Sequence, residues 1–367
     1  MIRIPTAIGL SAVLALGASL GLLQETPRTP ASPPNSQGAQ VAQVAPHEWD
    51  LAPPQPIDDE LPRELPRWRE HACAECHEAQ AQEWAKSLHA LAWVDARYRE
   101  ELADKKRPES CHGCHIPLPV HDQELVQKPA PRFASPTKDA QTPLAQRDAH
   151  FGIDCFACHE SKTGTTLGPY GIPNDAHLSE KSASFLPAGE SRLCITCHAT
   201  SIGPVIGIAK DFVDTRQWEK GKSCVGCHMQ RVERPMAQQA GKPEFPSRPG
   251  RSHELQTPRD PAFLARAFDI TLEPAPGGVV IAIVNTCGHR VPGLVERRIE
   301  ISAEIVGAEG GARGSIEITN KNFLRVDGRV EIALQGSGER VRVVGRHEAL
   351  GMTEPIVFLD REIAVPR

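Results

Sequence analysis

Cys73-Ala-Glu-Cys76-His77 is the first of five copies of one short pattern, in which two cysteines stand three positions apart and a histidine follows the second. The other copies are Cys111-His-Gly-Cys114-His115, Cys155-Phe-Ala-Cys158-His159, Cys194-Ile-Thr-Cys197-His198 and Cys224-Val-Gly-Cys227-His228. Ten of the eleven cysteines belong to these copies. A unit repeated in this way indicates that the chain binds the same group several times.

The group that this pattern binds is haem c, attached covalently. Two thiols at this spacing can add to the two vinyl groups on one porphyrin edge, and the next residue then places an imidazole under the iron. Zinc sites and disulfide frameworks also use cysteine pairs, but neither requires a histidine directly after each pair. We therefore expect five covalently bound haem c groups, with His77, His115, His159, His198 and His228 as proximal iron ligands.

Composition agrees with a haem-rich core. The chain has 367 residues, a net charge of −5 and 24% charged residues, so nothing in it indicates a nucleic-acid partner. Aromatic residues make up 5% of the chain, which is few for a core of this size. Porphyrin rings would supply the missing apolar surface. The predicted fold class is a mainly α or irregular multihaem domain with a haem-stacked core, followed by a small β-sandwich-like domain.

The N-terminal part of the sequence indicates export from the cytoplasm. Residues 1–23 combine one early positive charge with an apolar run, which suits a secretory signal peptide and is also long enough for a membrane anchor. Residues 24–66 are rich in Pro, Gln, Ser and Ala and predict an extended linker. Either alternative predicts a periplasmic or otherwise extracytoplasmic protein, free after cleavage or anchored in a membrane. This agrees with the haem motifs, since haem c is attached outside the cytoplasm.

Residues 67–258 are predicted to form the pentahaem domain. After the first motif, apolar residues recur at helical spacing and predict one helix from His77 to about Ala103. A second helix is predicted from Ile208 to Lys222. Pro-rich segments between the motifs break regular structure, so we expect the haems to determine this part of the fold.

Spare histidines are candidates for the sixth position of each iron. His89 would lie roughly 18 Å along a continuous helix from His77, too far to serve the same haem, so it should serve a neighbouring one. The other candidate distal ligands are His150, His177, His253 and His289. Weaker candidates are His121, His71, His112, His47 and His347. Candidates and irons are about equal in number, so most or all haems should have two histidine ligands, although one open site remains an alternative.

Residues 259–367 contain no further motif and change in character. Six β-rich runs, beginning near residues 268, 279, 299, 315, 330 and 341, are separated by Gly-rich turns. Short strands with such turns predict a small antiparallel sandwich. Cys287, the one cysteine outside the motifs, is interpreted as a buried or half-buried thiol, with a ligand or reactive role as the alternative.

Two stretches resemble known multihaem cytochromes. The first motif, followed by Trp84-x-x-Ser87-x-His89-Ala90, resembles the opening of cytochromes related to the tetrahaem cytochrome of ammonia oxidisers, a superfamily that includes relatives of hydroxylamine oxidoreductase and pentahaem nitrite reductase. Residues 285–293, Asn-Thr-Cys-Gly-His-Arg-Val-Pro-Gly, look like a Gly-His-x-x-Pro-Thr-Gly motif of β domains in multihaem cytochromes, although Pro-Gly-Leu replaces Pro-Thr-Gly. The resemblance implies an extracytoplasmic electron-transfer protein with His89 and His289 as axial ligands.

Three functions compete. The leading hypothesis is a carrier that passes electrons through bis-histidine haems between redox partner proteins. The alternative is a multihaem oxidoreductase acting on a small nitrogen or sulfur compound at one open haem. The third is an electron-transfer subunit whose β domain docks a larger enzyme. All five motifs end in histidine, whereas pentahaem nitrite reductases carry one Cys-x-x-Cys-Lys site, and neither Tyr98 nor Tyr170 resembles the haem-linked tyrosine of hydroxylamine oxidoreductases.

Overall fold

Short helices carry the haem motifs in the computed structural model. It describes residues 73–106, 109–117, 120, 152–161, 164–172, 174–186, 191–201, 205–239, 241–307, 312–349 and 352–366. The α-helices are α1 (Cys73–Cys76), α2 (Glu78–Ala85), α3 (Ala96–Ala103), α4 (Glu109–His115), α5 (Cys155–His159), α6 (Arg192–His198), α7 (Ile208–Asp214), α8 (Cys224–His228) and α9 (Pro261–Ala265), and 3-10 helices span Ala183–Phe185 and Gln217–Lys220. All five cysteine pairs lie on helical turns. Residues three apart share a helix face, so both thiols of each pair lie on the same side.

Capping side chains begin two of the motif helices. The Asp154 carboxylate accepts the Ala157 N–H at 3.0 Å, and the Ser223 hydroxyl accepts the Gly226 N–H at 2.9 Å. Each cap satisfies one of the backbone donors that a helix start leaves without an intrahelical partner. Helices of five residues are not stable by themselves. The caps set where these two helices begin, and contacts with the rest of the protein must keep the helices folded.

The helix predicted from His77 to about Ala103 is broken, so that prediction was wrong. α2 ends at Ala85, turns follow, and α3 begins after Asp95, which accepts the Tyr98 N–H at 2.8 Å. A tertiary contact accompanies the break, because the His89 carbonyl accepts the Ile153 N–H at 3.0 Å as well as the Ala92 N–H of its own turn at 3.2 Å. Gly152 packs so tightly there that a Cβ would lie 2.6 Å from the same oxygen.

The helix predicted from Ile208 to Lys222 is also interrupted. α7 ends at Asp214, and Arg216 adopts a left-handed conformation with φ 52° before the 3-10 helix begins. The turn places the Gln217 side chain in a fully buried position. Burial of Gln217 therefore outweighs the helical pattern read from the sequence.

Two small sheets lie between the motifs, and two larger antiparallel sheets follow them. β1 (Thr166–Gly168) pairs with β2 (Ser179–Lys181), and β3 (Arg231–Pro235) pairs with β4 (Ser247–Arg251). The later strands are β5 (Phe268–Ala275), β6 (Gly278–Asn285), β7 (Arg298–Val306), β8 (Arg313–Ile318), β9 (Arg329–Gln335), β10 (Arg340–Glu348) and β11 (Ile356–Ala364). They form sheets of order β11-β10-β7-β8 and β5-β6-β9. All six β-rich runs seen in the sequence form strands.

Apolar side chains from both large sheets meet in one core. Alternate residues of each strand point inward, as on a half-buried sheet, and Ile281, Ile301 and Val341 are fully buried. β11 was not predicted, because three charged residues interrupt its pattern. Phe358 nevertheless anchors it, packing over Gly345 where a Cβ would lie 2.5 Å from the ring.

The β region lies directly against the motif-bearing region. Lys220 forms an ion pair with Asp327 at 2.5 Å, Lys222 donates to the Thr286 carbonyl at 3.0 Å, and Arg97 pairs with Glu296. The described residues all fall within one compact unit. These contacts place residues of the β region where their side chains can reach sites in the motif-bearing region.

Several sequence predictions fall outside the described part of the chain. They are the export or anchor segment at residues 1–23, the linker at 24–66, and the ligand candidates His47, His71, His121 and His150. Among the residues described, no helix is long and apolar enough to cross a membrane.

We predict that Ile301→Ala will destabilise the β region by about 3 kcal/mol, because it removes a fully buried side chain from the shared core. Val357→Ala is the matched control, since Val357 on β11 is 49% exposed. Guanidinium unfolding followed by circular dichroism measures both. Equal losses for the two variants would contradict the assigned core.

Candidate haem centres

Four of the motif histidines are oriented by backbone carbonyls. Their Nδ1 atoms lie close to a carbonyl oxygen, which can only accept, so Nδ1 carries the proton and Nε2 is left as the ligand atom. The contacts are His77 with Met236 at 2.7 Å, His115 with Ala92 at 2.6 Å, His159 with Leu167 at 2.8 Å and His228 with Gln256 at 2.7 Å. Metal-ligating histidines are held in this way by their second ring nitrogen.

Four motif histidines face a second histidine from a distant part of the chain. The pairs are His77 with His177, His198 with His89, His159 with His253 and His228 with His289. The ring centroids are 6.4, 6.3, 6.0 and 6.4 Å apart in that order. The angles between ring planes are 31°, 31°, 36° and 19°.

This spacing fits an iron atom between the rings. A metal–imidazole bond is about 2 Å long and the ring centre lies about 1 Å further, so rings on opposite sides of one iron have centres about 6 Å apart. Two imidazoles in van der Waals contact would be much closer. Each ring pair therefore fits one haem held by its motif cysteines, with one axial histidine on each face.

Burial keeps these imidazoles in the form that binds metal. It lowers the pKa of His77, His198, His228, His253 and His289, and it lowers the pKa of the half-buried His89 to about 3. A neutral imidazole is needed because the proton and the metal compete for the same nitrogen. The protein thus offers neutral ligands throughout the neutral pH range.

His89 lies in the turn between α2 and α3 and reaches the fourth motif, not the first. The prediction that it would serve a neighbouring haem agrees with this placement, although the helix that motivated it is absent. Trp84 donates to the Ile153 carbonyl at 2.8 Å, and Ile153 donates to the His89 carbonyl at 3.0 Å. These two hydrogen bonds hold the turn between α2 and α3 in place, and the turn sets the position of the His89 ring.

His253 is held by a charged pair. Glu83 on α2 forms two 2.7 Å bonds with Arg234 on β3, and it also accepts the His253 N–H at 2.9 Å. Burial alone would raise the pKa of Glu83, but the bonds from Arg234 and His253 lower it. Sequence reasoning missed Glu83 and Arg234, since 151 positions separate them.

His177 is held by its own loop. Asn174 accepts the His177 N–H at 3.0 Å, and the Ser179 hydroxyl lies 2.9 Å from His177 Nδ1. The neighbouring Leu178 is 73% exposed. The first haem centre therefore lies near the surface on its distal side.

His289 comes from the β region, in the loop after β6. The fully buried Asn285 amide donates to the carbonyls of His289, Leu324 and Arg325 at 2.9, 3.1 and 2.9 Å, and its oxygen accepts the Cys287 N–H at 2.8 Å. One side chain therefore sets the path of the loop. Asn285 is the first residue of the motif that resembles other β domains, but the sequence predicted no role for its side chain.

A second contact attaches this loop to α7. Arg290 forms bonds of 2.6 and 2.7 Å from its guanidinium, and one of 3.1 Å from its N–H, to the Asp211 carboxylate. Gly288 lies so close to Phe212 that a Cβ would be 2.8 Å from the ring. The β region is thus fixed to the motif-bearing region beside His289.

The second motif has a different environment. Tyr98 stacks on His115 with ring centroids 3.6 Å apart and planes at 8°, and Trp93 packs between Tyr98 and His112. Burial lowers the pKa of His115. Within the described residues no second histidine ring faces His115, and the candidate distal ligand His150 lies outside them. The sequence analysis set Tyr98 aside, and its contact with His115 was not foreseen.

Thiols of different motifs also lie close together. Cys73 and Cys155 lie close enough that each shifts the pKa of the other, and Cys224 and Cys158 both lie near enough to raise the pKa of Cys194. The haem-bearing edges of the first and third motifs, and of the fourth and fifth, are therefore adjacent.

Comparison with known proteins agrees with these centres. Residues 72–160 match the family described as cytochrome c554 and c-prime. The fold is similar to that of a penta-heme cytochrome c552 from Thermochromatium tepidum, with a TM-score of 0.50 and 15% identity over 80% of this chain and 97% of that one. No curated protein matches the chain. The motifs and these comparisons support a multihaem cytochrome of the c type. They also support covalently bound haem c.

We predict that Asn285→Ala will release His289 in this cytochrome. The change leaves the His289 carbonyl without its side-chain donor, at a cost of about 1–3 kcal/mol. The Leu324 and Arg325 carbonyls keep the N–H groups of Val291 and Gly328. The oxidised holoprotein should then show a high-spin ferric signal from one haem. Asn322→Ala is the control, because that exposed residue bonds only to its own turn among the described residues. A fully low-spin Asn285→Ala spectrum would contradict the assigned role.

We also predict a pH-dependent contribution from Asp211. Burial alone would raise its pKa, but the bonds from Arg290 lower it below the ordinary value of 3.8. Asp211→Asn should cost about 2 kcal/mol at pH 7. A depressed folded pKa gives stability that is complete above pH 3.8 and is lost as pH falls through the folded value.

The measurement is chemical unfolding of both proteins between pH 7 and pH 2. The difference between Asp211→Asn and the parent should shrink below pH 3.8. Asp214→Asn, on the exposed side of the same helix, is the control and should show no such difference. A difference that stays constant down to pH 2 would count against the ion pair as its source.

Proposed function

We propose that this protein is a pentahaem electron carrier that works outside the cytoplasm, passing electrons between redox partner proteins. The observation that carries the proposal is the set of four opposed histidine pairs, each spaced to hold one iron. Five motifs in one chain, and the likeness to a protein described as a penta-heme cytochrome, support the number of five.

Two histidine ligands favour electron transfer over catalysis. An iron with both axial positions filled by protein has no site for a substrate, and its ligands stay the same in both oxidation states. Each of the four pairs is buried or half-buried and held by backbone or side-chain hydrogen bonds. The role of the protein at these centres is to fix the ligands and to set the potentials through burial and nearby charge.

The contacts between motifs support a route for the electrons. Cys73 lies near Cys155, and Cys194 lies near both Cys158 and Cys224. The proposed order is therefore first, third, fourth and fifth haem. The second haem would lie beside the fourth. The Ala92 carbonyl that orients His115 belongs to the turn that carries His89, the histidine opposite the fourth motif. Electrons would enter or leave at haem edges near the surface.

Location and partners follow from the same proposal. Covalent attachment of haem c takes place outside the cytoplasm, and residues 1–23 have the composition of an export signal or anchor. The protein would meet its partners there, either free or attached to the membrane.

A second function is centred on the second motif. If the haem bound by Cys111 and Cys114 has no protein ligand opposite His115, it can bind a small nitrogen or sulfur compound, and the protein is an oxidoreductase. The observation that favours considering it is the difference between His115, stacked on Tyr98, and the four motif histidines that face another histidine.

The test begins with the holoprotein made with the c-type maturation machinery. Its intact mass should correspond to five added haems. Its oxidised electron paramagnetic resonance spectrum should be low-spin, with rhombic signals from four haems, because nearly parallel imidazole planes split the ferric d orbitals most. A high-spin signal equal to one haem would overturn the carrier assignment for the second centre and lead to binding assays with nitrite, hydroxylamine and sulfite.

Single substitutions test the ligand pairs. His89→Ala, His177→Ala, His253→Ala and His289→Ala should each convert one haem from low-spin to high-spin, because each removes one axial ligand. His47→Ala, in the predicted linker, is the control and should leave the spectrum unchanged. A variant with five haems and an unaltered low-spin spectrum would rule out that histidine as a ligand.

A further inference from the structure

The carbonyl of Met236, which orients the first proximal histidine, is shared between two side-chain donors. The His77 ring donates to this oxygen from Nδ1 at 2.7 Å. The amide of Gln80, three residues later on α2, donates to the same oxygen at 2.9 Å and lies 3.9 Å from the Met236 sulfur. A carbonyl oxygen has two lone pairs, so it accepts both bonds at once. The bond that orients His77 therefore has a competing donor beside it.

The segment that carries this carbonyl is held on both sides of Met236. Arg234, two residues before it on β3, forms 2.7 Å bonds with both carboxylate oxygens of Glu83. Gln238, two residues after it, donates its N–H to the Cys76 carbonyl at 2.7 Å. These contacts attach the segment to α1 and α2 without the competing amide. The carbonyl should therefore keep its position when that amide is removed.

The hydrogen bond at Nδ1 sets how strongly the imidazole donates electron density to iron. An acceptor at the second ring nitrogen raises the basicity of a metal-ligating histidine. In His77 the bond to Met236 acts in this direction, since it raises the pKa against the larger lowering effect of burial. A more basic imidazole stabilises ferric iron more than ferrous iron, because the ferric ion carries the larger positive charge. Strengthening this bond therefore lowers the reduction potential of the haem.

The Gln80 amide weakens the bond between His77 and Met236. Electron density that the carbonyl oxygen gives to one donor is not available to the other, so each bond is weaker than it would be alone. The amide also brings the positive end of its dipole to this oxygen. Both bonds are partly buried, and such effects are stronger there than in water. Both effects make the imidazole less basic and favour the ferrous state.

We infer that Gln80 raises the reduction potential of the haem held by Cys73, Cys76, His77 and His177. The inference rests on the proposed function, since it requires that this haem be present with both histidine ligands. Gln80 is a positioning residue in this role, because it acts on the iron only through His77. The first centre lies near the surface on the side of His177, so a raised potential makes this haem a better acceptor of electrons from a partner.

The experiment compares Gln80→Leu with Gln82→Leu in the full holoprotein. Leucine has no donor, and its side chain fills much of the space of glutamine, which keeps water from replacing the amide. Gln82 is the matched control, because it lies on the same helix, is exposed and bonds to Glu78 at 2.9 Å. Spectroelectrochemical titration should show one haem with a lowered potential in Gln80→Leu and none in Gln82→Leu. The expected change is about threefold in the equilibrium constant, or about 28 mV at 59 mV for each factor of ten.

Two further variants identify the haem and the cause. His177→Ala, which should make the first haem high-spin, marks the component of the titration that belongs to this haem. In the His177→Ala background, Gln80→Leu should lower the potential of the high-spin component. Gln80→Lys keeps a donor at this position, so it should leave the potential of the first haem equal to or above that of the parent.

Intact mass and spin state separate the possible failures. A parent protein that lacks haem at Cys73 and Cys76 would refute the proposed function at that centre. A parent with five low-spin haems, in which Gln80→Leu leaves the potential of the first haem unchanged or raises it, would overturn the inference alone. Equal downward shifts in Gln80→Leu and Gln80→Lys would overturn it as well, because a disturbed helix, and not the lost donor, would then be the cause.

Discussion

Opposed imidazole rings are the constraint on which the motif-bearing region depends. Each pair joins segments far apart in the chain, such as His89 with His198 and His159 with His253. The motif helices are four to seven residues long, too short to persist alone. The described buried apolar clusters in this region are also small, whereas twenty buried residues form the core of the β region. Iron ligation across each ring pair would therefore supply the long-range connections that apolar packing supplies elsewhere.

The β region provides a rigid support for one of these connections. Its core is continuous across both sheets, and the loop that carries His289 leaves directly from β6, the strand that holds Ile281 and Ile283. Asn285 transmits that rigidity to the loop, since its amide reaches three carbonyls. Asp211 and Arg290 then attach the loop to α7. A ligand on a mobile domain would leave the sixth position intermittently open, so this attachment is part of how the fifth centre is kept closed.

Sequence reasoning was strongest where chemistry fixes the spacing. The Cys-x-x-Cys-His pattern identified the motifs, and counting spare histidines identified His89, His177, His253 and His289, which the structure brings opposite four motif histidines. The sequence did not predict which of these histidines lies opposite which motif histidine, because that depends on how distant segments cross in the fold. The broken helix at His89 shows the same limit. The helical periodicity predicted a continuous helix there, but the His89 carbonyl accepts the N–H of the distant residue Ile153. The charged residues of β11 concealed that strand in the sequence, although Phe358 anchors it in the core.

Charge around the centres gives the proposed route a direction. Glu83 neutralises Arg234 beside His253, so the third centre is close to a balanced ion pair. At the fifth centre Arg266 lowers the pKa of His228, whereas at His289 the charges of Asp211 and Arg297 act in opposite directions. A field that disfavours a proton on an imidazole also disfavours the extra positive charge of ferric iron. Because of Arg266, the fifth haem lies in more positive surroundings than the third and should have the higher potential of the two. Electrons entering at the first centre, near the exposed Leu178, would then move through the third and fourth centres towards the β region.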